Sequence, residues 1–131
     1  MLTIDFETYY ATDYSLTRLT TEEYVRGDQF QVIGVAVKVN DAPAQWFTGT
    51  HDETAEWLAQ FEWGNHFVLA HNAIFDAAIL TWVFGQRPKA WLDTLSMARA
   101  VLGPNASVSL EKLSSHFGLG TKGTEVINAK G

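Results

Sequence analysis

The sequence of 131 residues contains no cysteine and has fewer basic than acidic side chains. The absence of cysteine excludes disulfide bridges and thiolate zinc sites. No apolar run is long enough to span a bilayer, and the start of the chain lacks the basic region and apolar run of a signal peptide, so we expect a cytoplasmic protein without a membrane partner. With 9 Lys and Arg against 15 Asp and Glu, the formal charge of −6 argues against broad electrostatic coating of nucleic acid. A small site in which carboxylates hold metal ions, and the metals meet phosphates, is compatible with this charge.

The overall composition is that of an ordinary globular protein. Hydrophobic residues make up 47% of the chain and charged residues 18%, which is unlike a disordered chain. A chain of this length can bury roughly two-thirds of its unfolded surface, which is enough for one core. We therefore expect a single domain over residues 1–131.

Strand signals dominate the first half of the chain. Leu2, Ile4 and Phe6 alternate with polar residues up to Thr8, which is the period of a strand with one buried face. Early strands of α/β sheets tend to be central. Two valine-rich or alternating segments predict an antiparallel hairpin at 31–39 and 44–48, and short apolar runs predict later strands at 67–70 and 90–92.

Helix signals follow each of these strands. Capping boxes formed by Thr20 with Glu23 and by Thr50 with Glu53 open two helices. The almost wholly apolar segment 73–84 predicts a largely buried helix. Further helices are expected after the capping residues Asp93 and Ser109, ending near Leu102 and Gly118, whereas 120–131 is expected to be a loop or tail. Hairpin strands followed by strand–helix units predict an α/β fold with a mixed sheet flanked by helices.

The pair Asp5 and Glu7 is the first candidate site. Two carboxylates at i and i+2 share one face of a strand, and such close like charges favour protonation unless a cation lies between them. A solvated strand face is the simpler interpretation of this pair alone. The pair lies near the C-terminal end of an apolar strand, where open α/β sheets bind ligands. This position favours a role in ligand binding over a solvated strand face.

Asp76 is the only charge in the apolar segment 73–84. A buried carboxylate must be paired, hydrogen-bonded or bound to metal. A pairing with Lys or Arg, or a cap-like bond near the start of the helix, would explain it structurally. Together with Asp5 and Glu7, however, it makes three hard oxygen ligands on two elements, a set that selects Mg²⁺ or Mn²⁺.

These motifs resemble those of a known nuclease family. The segment Asp5–Thr8 resembles the first motif of the DEDD 3′–5′ exonucleases, and His71-Asn72-x-x-x-Asp76 resembles the second. The likeness is greatest to the proofreading exonuclease of phage-type family A DNA polymerases and covers most of the chain. It implies a ribonuclease H-like fold, hydrolysis of DNA from a single-stranded 3′ end, and an adjoining DNA polymerase domain as partner.

The resemblance also implies roles for individual residues. Asp5 would bridge two metal ions, Glu7 would help hold the ion that activates water, and Asp76 would support the second ion. Thr8, Asn72 and Phe75 would line the pocket for the terminal nucleotide, with His71 beside them. The family's third motif, a Tyr or His followed by an Asp on a late helix, has no counterpart after Phe117. We therefore expect an exonuclease-like domain that is incomplete at its C-terminus and, in isolation, turns over little.

Two other functions are compatible with these residues. One is a catalytically deficient module of the same fold that binds DNA ends or docks on a polymerase partner. The other is a different ribonuclease H-like nuclease, acting on RNA–DNA hybrids or junctions. The aromatic residues are expected to pack in or beside the core rather than to stack on bases; they are Tyr9, Tyr10, Tyr14, Trp46, Trp57, Trp63, Trp82 and Trp91.

Overall fold

The computed structural model describes residues 1–120, so that, apart from Gly120, the predicted loop or tail lies outside the described residues. Within residues 1–120 the chain forms a five-stranded mixed sheet flanked by helices. The strands are β1 (Leu2–Thr8), β2 (Val32–Val39), β3 (Gln45–Phe47), β4 (Phe67–Ala70) and β5 (Ala90–Asp93). The helices are α1 (Thr21–Arg26), α2 (His51–Ala59), α3 (Ala73–Ala78), α4 (Thr94–Leu102) and α5 (Leu110–Phe117). The predicted α/β class is confirmed, and the arrangement agrees with a ribonuclease H-like fold.

The strand order β3-β2-β1-β4-β5 places β1 at the centre of the sheet. β1 and β3 both pair antiparallel with β2, which confirms the predicted hairpin. On its other side β1 pairs parallel with β4, and β4 pairs parallel with β5. The C-terminal ends of three parallel strands, β1, β4 and β5, therefore meet at one edge of the sheet.

One face of the sheet carries the main core. Leu2, Ile4 and Phe6 are almost completely buried there, together with Val35 and Val37 of β2. Thr3, Asp5 and Glu7 point to the opposite face, as strand alternation requires. A second, smaller cluster joins α4 to α5 around Ala98, Val108 and Leu113.

The helix caps agree with the sequence. Both capping boxes are reciprocal, because each threonine accepts from a glutamate amide and that glutamate accepts from the threonine amide. The capping residues are Thr20 with Glu23, Thr50 with Glu53, and the side chains of Asp93 and Ser109. In residues 1–120 no helix has both the length and the apolar character needed to cross a membrane.

The apolar segment 73–84 differs from the prediction of one largely buried helix. α3 continues as a π-helical turn at Ile79–Val83. One large apolar side chain of α3 and one of the π-helical turn face outward. Ile74 is 71% exposed and Trp82 is 48% exposed. The Arg26 guanidinium lies 4.7 Å from the centre of the Trp82 ring, a cation–π contact that shields part of the indole.

Of the other aromatic residues, Tyr10 is half-buried outside the main core and Trp46 also departs from the prediction, whereas the rest follow it. Trp63 and Tyr14 are buried, and Trp57, Trp91 and Tyr9 pack against the main core. Trp46 is 49% exposed instead. It lies on edge strand β3 and faces away from the core, so that no apolar layer of the described residues covers it.

Candidate functional site

The carboxylates of β1 face a cavity on the side of the sheet opposite the core. Asp5 is exposed and Glu7 is partly buried, and with Ala36 and Trp46 they line a cavity of about 370 Å³. The register of β1 against β2 shifts between Glu7 and Thr8. Ile33 of β2 is the residue skipped at this shift, and an irregularity of this kind increases the local twist of the paired strands.

Asp76 lies against the backbone between these two acids. β4 pairs only with Leu2 and Thr3 of β1, so the later part of β1 has no strand neighbour on that side. Asp76 occupies this position, and its Oδ1 accepts a hydrogen bond of 3.0 Å from the amide of Phe6. The prediction that Asp76 is buried is confirmed, because the residue is 2% exposed.

Burial raises the pKa of Asp76 well above the ordinary aspartate value of 3.8. The hydrogen bond from Phe6 acts in the opposite direction because it favours the charged carboxylate, and the Asp76 backbone amide adds to this effect. The negative charge of Asp5, and to a smaller extent that of Glu7, raises the pKa further. The three predicted acids therefore interact electrostatically, and a cation near them would favour the ionised form of Asp76.

The donor chemistry of these acids suits a hard divalent ion, since all three supply carboxylate oxygens. In the part of the chain that the structure describes, however, no three His, Cys, Asp or Glu side chains form a group that could hold a metal ion. Asp5 and Glu7 face their cavity, whereas Asp76 is directed at the β1 backbone. The structure thus shows a carboxylate pair, with a third, buried acid that contacts the backbone of the same strand.

A second cavity, of about 310 Å³, lies on the other side of Glu7. Thr8 and Phe75, both predicted to contact the terminal nucleotide, line it. The Thr8 hydroxyl donates to the Tyr24 hydroxyl over 2.8 Å, because the Tyr24 proton is directed to the carbonyl of Tyr9. The remaining lining residues come from β1, α1 and the connection between them; they are Phe6, Tyr10, Ser15, Leu16 and Tyr24.

Sequence reasoning did not assign Tyr10, Leu16 or Tyr24 to this site. The only available signal was the length of the connection over residues 9–30, since long connections inside a compact domain are usually functional or structured. The structure shows that this connection folds back over the end of β1, where it supplies an apolar wall.

His71 and Asn72 are placed at the end of β4, at the same edge of the sheet, but neither lines the cavities at Glu7. The two His71 ring nitrogens lie 2.9 Å from the hydroxyl of Thr94 and 2.9 Å from the carbonyl of Val108. His71 therefore connects β4 to α4 and to the segment before α5.

The backbone of Asn72 adopts the left-handed conformation with φ 60°. Its backbone N–H donates to Asp93 Oδ1 over 2.9 Å. The same oxygen accepts from the amide of Leu95, which makes it the predicted cap of α4 as well. Asp93 thus holds the turn that directs the chain from β4 into α3. The geometry divides the predicted residues into a group at β1, with Thr8, Phe75 and the acids, and a group at β4.

Comparison with other proteins adds no family assignment to this geometry. No protein-family model matches the chain, and no curated protein matches its sequence. What the site does must therefore be inferred from its own residues.

Proposed function

We propose that this chain is the metal-dependent 3′–5′ exonuclease domain of a phage-type DNA polymerase. It would remove the terminal nucleotide from a single-stranded DNA 3′ end in the cytoplasm of a bacterium or a phage-infected cell. The observation that carries the proposal is the placement of Asp5, Glu7 and Asp76 around the end of the central strand, with a cavity on either side of Glu7. Ligand sites of open α/β sheets lie at this position.

Each group of residues has a separate task in this proposal. Asp5 and Glu7, with support from Asp76, would hold Mg²⁺ or Mn²⁺. The bound ions would stabilise charge on the attacking and leaving oxygens of the phosphodiester. Thr8 and Phe75 would position the terminal nucleoside in the 310 Å³ cavity, whose lining is mostly apolar. The bond from Phe6 to Asp76 holds β1 against α3, so Asp5 and Glu7 keep their spacing.

A test combines Mn²⁺ titration by calorimetry with degradation of labelled oligonucleotides. The wild type is expected to bind Mn²⁺ weakly and to shorten a single strand slowly from its 3′ end. Asp5→Ala is expected to abolish both the heat of binding and the shortening. Glu56→Gln, which neutralises an exposed acid on α2, serves as the matched control. An Asp5→Ala protein as active as the wild type, or preferential cleavage of an RNA–DNA hybrid, would contradict the proposal.

The second candidate is a module of the same fold that binds DNA ends or docks on a polymerase partner without hydrolysing DNA. Exposed apolar side chains on and after the last two helices favour docking, since Val101, Phe117 and Leu119 are 73%, 53% and 76% exposed. The same labelled oligonucleotides separate the two candidates when their binding to the protein is measured together with their degradation. Binding of a single-stranded 3′ end with no product after prolonged incubation in Mn²⁺ supports the module and excludes the exonuclease.

A further inference from the structure

The cavity at Asp5 and Glu7 has an aromatic wall whose position follows from the sheet register. Asp5 pairs with Ala36, and Ala36 pairs with Trp46, so these three residues form one row across β1, β2 and β3. Trp46 is 49% exposed and lines the same cavity as the two acids. An indole therefore stands across the cavity from the carboxylates.

A glycine makes room for this indole. The benzo ring of Trp46 lies directly over Gly34, where an added Cβ would come within 2.2 Å of Cζ2 and 2.4 Å of Cη2. Gly34 pairs with Glu7, so the ring extends from its own row toward the row of that acid. Any side chain at position 34 would force the indole out of this place.

The backbone below Trp46 is also held firmly for an edge strand. Pairs with β2 flank Trp46 on both sides, and the Thr48 hydroxyl donates to the carbonyl of Ile33 over 2.7 Å. This side-chain bond extends the attachment of β3 beyond its last paired residue. A ring whose backbone and packing are already set loses little further freedom when a ligand stacks on it.

We propose that Trp46 stacks on a nucleobase of the bound DNA strand. This is the same strand whose phosphates would bind at the proposed metal site of Asp5 and Glu7. This inference rests on the proposed function and adds a base-binding residue to it. Every base has a flat face that an indole can contact, so the contact tolerates all sequences. The cavity, at about 370 Å³, falls within the volume range of small-ligand sites. An ion held by Asp5 and Glu7 would supply the charge that attracts the phosphate, and Trp46 would supply the apolar contact that the acids cannot make.

The test measures binding of a fluorescein-labelled oligothymidylate by anisotropy in Mn²⁺, with a non-hydrolysable linkage at the 3′ end. Trp46→Ala is expected to weaken binding by about 5-fold to about 150-fold, the loss associated with one stacked base. Trp46→Phe should recover most of the affinity. Gly34→Ala, which leaves Trp46 in the sequence but displaces its ring, should weaken binding in the same direction.

Two controls separate stacking from a general structural effect. Trp82→Ala removes an equally exposed indole on a different surface and should leave binding unchanged. Mn²⁺ binding measured without DNA should be equal in the wild type and in Trp46→Ala. Abasic sites placed one at a time along the oligonucleotide should weaken wild-type binding at one position, and that sensitivity should disappear in Trp46→Ala.

The outcomes distinguish this inference from the function on which it rests. A wild type that does not bind the oligonucleotide overturns the proposed function and the role of Trp46 together. A wild type that binds, with Trp46→Ala binding equally well, overturns the stacking role alone. Loss of Mn²⁺ affinity in Trp46→Ala would likewise overturn it, because the indole would then belong to the ion site.

Discussion

The buried carboxylate of Asp76 leads to the sharpest prediction. Asp76→Asn removes the negative charge and keeps an oxygen that can accept from the Phe6 amide. Asp76→Ala removes the charge and the acceptor. Comparing the two variants with the wild type separates the free energy of the charge from that of the hydrogen bond.

The sign of the charge effect follows from the direction of the pKa shift. Burial raises the pKa of Asp76 in the folded state above the unfolded value of 3.8. As pH rises from 3.8 through the folded-state pKa, the folded state holds more protons than the unfolded state, so the free energy of unfolding decreases. Each unit of difference between the two pKa values corresponds to about 1.4 kcal/mol. Asp76→Asn escapes this loss, so without divalent ions it should exceed the wild type in stability at pH 8.

The hydrogen bond sets the difference between the two variants. Because the Phe6 amide is buried, leaving it without an acceptor costs about 1–3 kcal/mol. Asp76→Ala should therefore be less stable than Asp76→Asn by about that amount at every pH. This difference should not depend on pH, since neither variant titrates at position 76.

Urea unfolding followed by tryptophan fluorescence at pH 4, 6 and 8 in EDTA measures these quantities. Glu56→Gln is the control for loss of an exposed acid and should lie within about 0.5 kcal/mol of the wild type. If the wild type and Asp76→Asn show parallel pH dependence over this range, the reasoning about the buried charge is wrong.

Two further predictions concern the end of β4. His71→Ala should destabilise the protein by about 1–3 kcal/mol, because Thr94 and Val108 lose a shared partner, and amide exchange in α4 and α5 should accelerate first. Unchanged exchange in those helices would contradict this. Asp93→Ala should cost about 1–3 kcal/mol in urea unfolding, because one oxygen serves both the Asn72 and Leu95 amides, whereas Asp93→Asn should cost less. Equal losses in the two Asp93 variants would refute this explanation.

The parts of the fold that could be predicted from the sequence depend on local patterns. Alternation in residues 2–8 determined which face of β1 is buried, and each capping box lies within four consecutive residues. The segment 73–84 could not be interpreted in the same way. Apolar residues on all sides leave no periodicity, so neither the π-helical turn nor the exposure of Ile74 could be predicted.

The site was only partly predictable for a related reason. Burial of Asp76 follows from its apolar neighbours in the sequence, but its partner, the amide of Phe6, is 70 residues away. That bond exists because β4 pairs with so little of β1, and pairing length is not encoded in any local motif. Trp46 was expected to pack in or beside the core, and its exposure could not be predicted because the side of β3 that it occupies depends on the strand register.

The energetics of Asp76 connect the stability of the fold with the proposed function. Without a cation, burial and the charge of Asp5 both disfavour the ionised carboxylate that the Phe6 amide would bind best. A divalent ion held by Asp5 and Glu7 would reverse the electrostatic part of this penalty and so favour ionised Asp76. Because linkage is reciprocal, the ion should then bind more tightly as pH rises and should stabilise the folded wild type more than Asp76→Asn. If the proposed ion binds, it would therefore relieve a cost that the buried Asp76 carboxylate imposes on the fold.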